Sequence, residues 1–252
     1  MKKSLFLILG MLMSLQTSQT QAWSYGEFIS CSGINRNIDI TFKTSYGQLV
    51  HDINTPQKKI GSLMTKTPEK GFFTSGLATL KIKKYIHIKK AAVIPLDENA
   101  TCVMPREIEI TFGYTEPTIY VANEYDIKSC DFSQILRHEQ THQRINKLTL
   151  DYFLPLIYET TKKTILDVRA IKVPSPKDAK KGLELLHKYY TVKMDAIIKE
   201  FEKEREKEQK KLDNRINYTF ESNLCLKFNE KHKDRPILKK GKKLFGWENF
   251  RK

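Results

Sequence analysis

The stretch Cys130 to Ile145, CDFSQILRHEQTHQRI, decides how the rest of the chain is read. Before it the pattern alternates like strands; after it apolar residues return every three or four positions, as on helices. Asp131 or Ser133 can cap a helix start, and Ile135, Leu136, Ile145, Leu148, Tyr152 and Leu156 supply its apolar residues. Within the stretch His138, Glu139 and His142 spell H-E-x-x-H. Residues four apart share a helix face, so His138 and His142 can hold one metal ion between their imidazoles. Glu139 then stands beside the metal, where its carboxylate can take a proton from an activated water. Both histidines share the stripe of Ile135 and Ile145, which turns them towards the core. Pro155 predicts a kink or an end to this helix after about two dozen residues.

Upstream, residues 23 to about 128 read as β-rich. Asn37 to Lys43 alternates Ile38, Ile40 and Phe42 against polar neighbours; Leu77 to Lys89 forms a longer extended candidate. Arg106 to Tyr114 places Ile108, Ile110, Phe112 and Tyr114 on one face, and after Pro117 the segment Thr118 to Glu124 makes another short strand. Pro56, Gly61, Pro68, Gly71 and Pro95 mark turns. Downstream, a connector over Ile171 to Pro176 leads to a second long helix, with Leu183, Leu186, Tyr190, Met194, Ile197 and Phe201 on one stripe. Residues 202–211, EKEREKEQKK, hold no apolar side chain, which predicts an exposed helix projecting past the core. The fold class is therefore α+β: an N-terminal antiparallel β-rich half packed on the H-E-x-x-H helix, followed by long C-terminal helices.

Residues 1–22 have the form of a secretory signal peptide. Lys2 and Lys3 precede an apolar run from Leu5 to Leu15, and Thr20-Gln21-Ala22 is a small-residue cleavage site. No later segment is apolar enough to cross a bilayer. Export to an oxidising periplasm or exterior makes an even set of cysteines, Cys31, Cys102, Cys130 and Cys225, read as two disulfides of open connectivity. Residues 23–226 form the main domain, split into a β-rich part to 128 and a helical part from 131. Residues 227–252 form a basic tail with ten Lys and Arg against three acids, expected to be disordered and able to touch anionic surfaces. The formal charge of +15 comes without a nucleic-acid-binding motif, so no nucleic-acid partner is expected. No G-x-S-x-G and no phosphate-binding glycine loop is present.

The helix with its upstream strand resembles the zincin metallopeptidases, and Cys130 to Ile145 is similar to a group of secreted bacterial proteins predicted to be zinc proteases. The resemblance covers residues 100 to 150. It implies that His138 and His142 bind Zn2+, that Glu139 is the general base, and that Thr118 to Glu124 is an edge strand holding an extended peptide substrate. Two features depart from the zincin pattern: Arg144 replaces the usual hydrophobic residue, and no H-x-x-G-x-x-H continuation follows His142. The third ligand stays open among Glu159, Asp151, His187, Asp213, Tyr218 and Glu221. Glu159 qualifies only if the chain turns at Pro155, since a straight helix would carry it about 25 Å away. The expected function is exported zinc-dependent peptide hydrolysis. The alternative is a non-catalytic envelope binding protein with a structural or degenerate zinc site.

Overall fold

The computed structural model describes residue 31, residues 37–64 and residues 74–231, Asn229 by its backbone alone. The expected leader, the turn markers Pro68 and Gly71, and the tail beyond residue 231 lie outside the described residues.

The alternation of Ile108, Ile110, Phe112 and Tyr114 belongs to one long strand, β4 (Ala100–Val121), and all four side chains are buried. This corrects the reading of two strands broken at Pro117. Opposite β4 runs β3 (Gly76–Asp97), joined to it through the two-residue turn Glu98-Asn99. Pro117 is tolerated because the ladder slips there. Thr79 pairs with Thr118 and Lys81 with Thr115, so Leu80 alone faces Glu116 and Pro117, and Glu116 adopts φ 54°. A bulge needs no N–H from the proline.

β3 fills one edge of β4. The other edge takes three short strands in turn: β5 (Ile171–Val173) at 101–103, β1 (Asp39–Ser45) at 107–113, and β2 (Val50–Asp52) at 118–120. β1 and β2 both run parallel to β4, so the sheet is mixed and the antiparallel expectation holds only for β3 and β5. The chain continues from β1 to β2 without reversing, which single-strand patterns do not reveal. Gly113 makes the β1 approach possible. Its φ is 152°, and a Cβ there would lie 1.9 Å from the Ser45 carbonyl oxygen.

Four α-helices and a single 3-10 turn (Pro176–Asp178) complete the described chain: α1 (Gln57–Leu63), α2 (Cys130–Asp167), α3 (Ala179–Leu212) and α4 (Arg215–Lys231). Ser129, not Asp131 or Ser133, caps α2, its hydroxyl accepting from the Phe132 N–H at 3.0 Å. Pro155 neither ends nor turns this helix, which runs 38 residues. Phe153 and Ile157, buried on either side of the proline, hold the helix against the core across the missing hydrogen bond. The apolar stripe also lies elsewhere than expected. Leu148, Tyr152 and Leu156 are exposed, while Thr149, Leu150, Phe153, Ile157, Thr161 and Ile165 face inward.

The α3 stripe is as read, with Leu186, Tyr190, Met194, Ile197 and Phe201 buried. Phe201 joins the layers: its ring centroid lies 5.5 Å from Phe112 of the sheet and 5.7 Å from Phe153 of α2. The sheet's other face carries Lys43, Lys89 and Lys90 paired with Glu107 and Glu109. A smaller cluster of Cys31, Cys102, Met104 and Ala170 sits apart from the main core, closed by the Cys31–Cys102 disulfide. Among the described residues no helix is long and apolar enough to cross a membrane.

Candidate metal centre

α2 presents His138 and His142 on one face, and the junction of α3 with α4 brings Asp213 to them. His138 Nε2 and His142 Nε2 lie 3.1 Å apart, and Asp213 Oδ1 lies 3.3 Å from the first and 3.0 Å from the second. Tetrahedral ligands about 2.0–2.2 Å from a shared ion stand roughly 3.3–3.6 Å from one another. The triangle therefore needs to open by only a few tenths of an ångström. Among the open candidates for the third ligand, the structure selects Asp213. The three residues can hold a metal ion.

A tight turn positions Asp213. Its own N–H closes α3 on the Gln209 carbonyl, and Asn214 caps α4 by accepting from the Asn217 N–H at 2.9 Å. Asn214 and Asn217 side chains also donate to the Lys211 carbonyl, satisfying the end of α3. The Cys130–Cys225 disulfide then ties α4 to the first turn of α2. This staple places Glu221, one turn before Cys225, against His138.

Each histidine has a second partner that leaves Nε2 as the nitrogen able to face an ion. His138 Nδ1 lies 3.0 Å from Glu221 Oε2. A carboxylate only accepts, so Nδ1 donates to Glu221, and an ion bound at Nε2 would take the place of the proton that this nitrogen shares with Asp213. His142 Nδ1 donates likewise to Gln209 Oε1. The Gln209 amide is oriented by its own Nε2, which donates to the His142 carbonyl at 3.1 Å and to Asn146 Oδ1 at 2.8 Å. Such partners commonly raise metal affinity 10–100-fold. Glu221→Ala is thus expected to weaken metal binding by about that factor, and Glu221→Gln, whose amide oxygen accepts the same bond, to restore part of it. Calorimetric titration with zinc checks both.

Burial is the largest single influence on His138, Glu139, His142 and Asp213, yet among these four it sets the direction only at Glu139. It pushes the Glu139 carboxyl up to about 7, offset in part by His142 and His138. For Asp213 burial acts upward, but hydrogen bonds from His138, His142 and Tyr218 outweigh it and hold the carboxyl well below its usual range. Burial pulls His138 and His142 down, yet Asp213 overrides it and both are raised. Tyr218 donates to Asp213 Oδ1 at 2.7 Å and is pushed up by burial and by that bond. Glu139 rests against the start of β3, where the Ala78 backbone donates to it. Gly76 leaves the space: a Cβ there would lie 2.7 Å from Glu139 Oε1 and 2.8 Å from its Cγ.

The remaining candidates are held elsewhere. Asp151 accepts from the Tyr46 hydroxyl, His187 pairs with the Ile86 carbonyl at 3.0 Å, and Glu159 stays exposed, five turns along α2. Tyr218 and Glu221 touch the ligands and are not themselves in the triangle. Thr118 to Val121 is not an edge: β3 flanks it on one side and β2 on the other, and Glu139 meets Gly76 and Ala78 instead. Residues 202–211 also depart from expectation. Arg205 and Gln209 continue the row of Phe201 and turn polar side chains onto Asn146 and His142, so this part of α3 builds the site and does not project freely. No protein-family model, curated protein or solved structure matches the chain.

Proposed function

We propose that this chain is an exported zinc-dependent hydrolase whose substrate bond is a peptide bond. One observation carries the reading: His138 Nε2, His142 Nε2 and Asp213 Oδ1 converge on a single point beside Glu139. Two imidazoles and one carboxylate are a ligand set that zinc accepts, leaving a fourth position open. Ferrous iron takes the same set, but a neighbouring glutamate on the same helix serves hydrolysis. Zinc held by these three residues would supply Lewis-acid chemistry for a water and a carbonyl. Glu139 takes the proton of the attacking water and hands it to the departing amine. Gln209 and Glu221 keep the imidazoles in the tautomer the metal requires, and Tyr218 steadies Asp213. The two disulfides, Cys31–Cys102 and Cys130–Cys225, fit an oxidising compartment.

Metal analysis of the purified chain, coupled to hydrolysis of a mixed peptide library, tests this reading. One zinc per chain, cleavage abolished by a chelator and restored by zinc are expected. Cleavage that survives chelation, or a zinc-loaded chain that cuts no peptide, would overturn it.

A further inference from the structure

The last helix has two working faces. Tyr218, Glu221 and Cys225 turn inward to the metal site and the disulfide. On the outward face Ile216, Phe220 and Leu224 stand four residues apart, so they form one stripe. They are 81%, 62% and 40% exposed. An apolar row left in water on a 17-residue helix is unfavourable unless something covers it. Lys227 and Lys231 lie seven and eleven residues after Phe220, which returns both to the same side, and both are exposed. Of the helix's two acids, Glu221 is turned away to His138.

We propose that this outward face of α4 docks on an anionic lipid bilayer. Charge selects the occupant. The face joins apolar side chains to lysines, and the sequence beyond it continues with basic residues interleaved with Phe245, Trp247 and Phe250, in a chain of formal charge +15. Apolar residues entering the headgroup boundary beside lysines are the pattern of helices that lie in a membrane interface. A second copy of so basic a chain would meet like charge at the same face. Docking in this way brings the metal centre within about one helix diameter, roughly 10 Å, of the lipid surface. The bound surface and the metal ligands lie on opposite sides of α4, so lipid binding is independent of the proposed chemistry.

Flotation with vesicles tests the proposal, using the chain from Trp23 onward so that the apolar leader contributes nothing. Vesicles of phosphatidylcholine mixed with phosphatidylglycerol are expected to bind at least about tenfold more protein than phosphatidylcholine alone, and less as salt rises. The double variant Ile216→Ser/Phe220→Ser, and separately Lys227→Glu/Lys231→Glu, should each lower binding on the order of tenfold. Zinc binding and the circular dichroism spectrum of each should match the parent, which separates this outcome from failure of the metal site or of folding. Equal binding to neutral and anionic vesicles, or undiminished binding by the Ile216/Phe220 variant, would overturn the proposal. So would a dimer in solution that the same variant dissociates, since the face would then be an interface between copies.

Discussion

On the proposed reading, Glu139→Gln is expected to bind zinc like the parent and lose hydrolysis by about 10²–10⁴-fold, the range associated with a positioned general base. The amide fills the same space against Gly76 and Ile135, so the helix and the ligand triangle should be undisturbed. What disappears is the capacity to accept a proton. Stability should not fall, because burial penalises the charged carboxyl and the amide escapes that penalty. Asp213→Ala gives the opposite pairing. It removes one of three ligands and leaves the two imidazoles without the carboxylate that draws them together. Zinc affinity should drop by at least about 100-fold, beyond the 10–100-fold typical of an outer partner, and hydrolysis should be lost with the metal. Zinc content and turnover measured on both variants separate base from ligand. A Glu139→Gln chain that cleaves peptide at the parent rate would sink the assignment of the base.

Much of this site was legible because its two histidines and glutamate are local in sequence. Four-residue spacing on a helix requires nothing else of the fold. Asp213 is 71 residues from His142, and only the α3–α4 turn and the Cys130–Cys225 bridge bring it there. Spacing alone could name it among six candidates and no more. Gln209 was missed for a different reason. A stripe search follows apolar residues, and the α3 row changes from Phe201 to Arg205 and Gln209 where the contact becomes polar. Extending the four-residue row past Phe201 without regard to polarity would have found it. The strand periodicity identified the inward face of β4 correctly, yet it carries no direction. Hence β1 and β2 were expected antiparallel and are parallel. Pro155 misled because the proline rule weighs a lost hydrogen bond and a clash. It omits the burial of Phe153 and Ile157, which at about 1.5–3 kcal/mol per fully buried apolar side chain can offset the cost.

Breaking Cys130–Cys225 by paired substitution to alanine should cost both stability and zinc, whereas breaking Cys31–Cys102 in the same way should cost stability alone. The two bridges close comparable loops, with sequence separations of 95 and 71. The chain-entropy model assigns each about 4–5 kcal/mol and separates them by only a few tenths. At roughly 2–4 °C per kcal/mol for a domain of this size, each loss should lower Tm by on the order of 10 °C. Their consequences for the metal differ because of what each bridge holds. Cys31 joins Cys102, Met104 and Ala170 in a cluster away from the histidines. Cys225 alone is buried among the α4 residues whose burial is described, and that helix also meets α2 through Glu221 and the Tyr218 ring, both against His138. Without the staple, ordering α4 must be driven by zinc itself. Apparent affinity then falls, and added zinc should raise Tm less than it does in the Cys31/Cys102 variant. Thermal melts with and without zinc read both effects together. Equal zinc affinity in the two disulfide variants would show that α4 holds its place without the bridge, and that Asp213 is fixed by the α3–α4 turn alone.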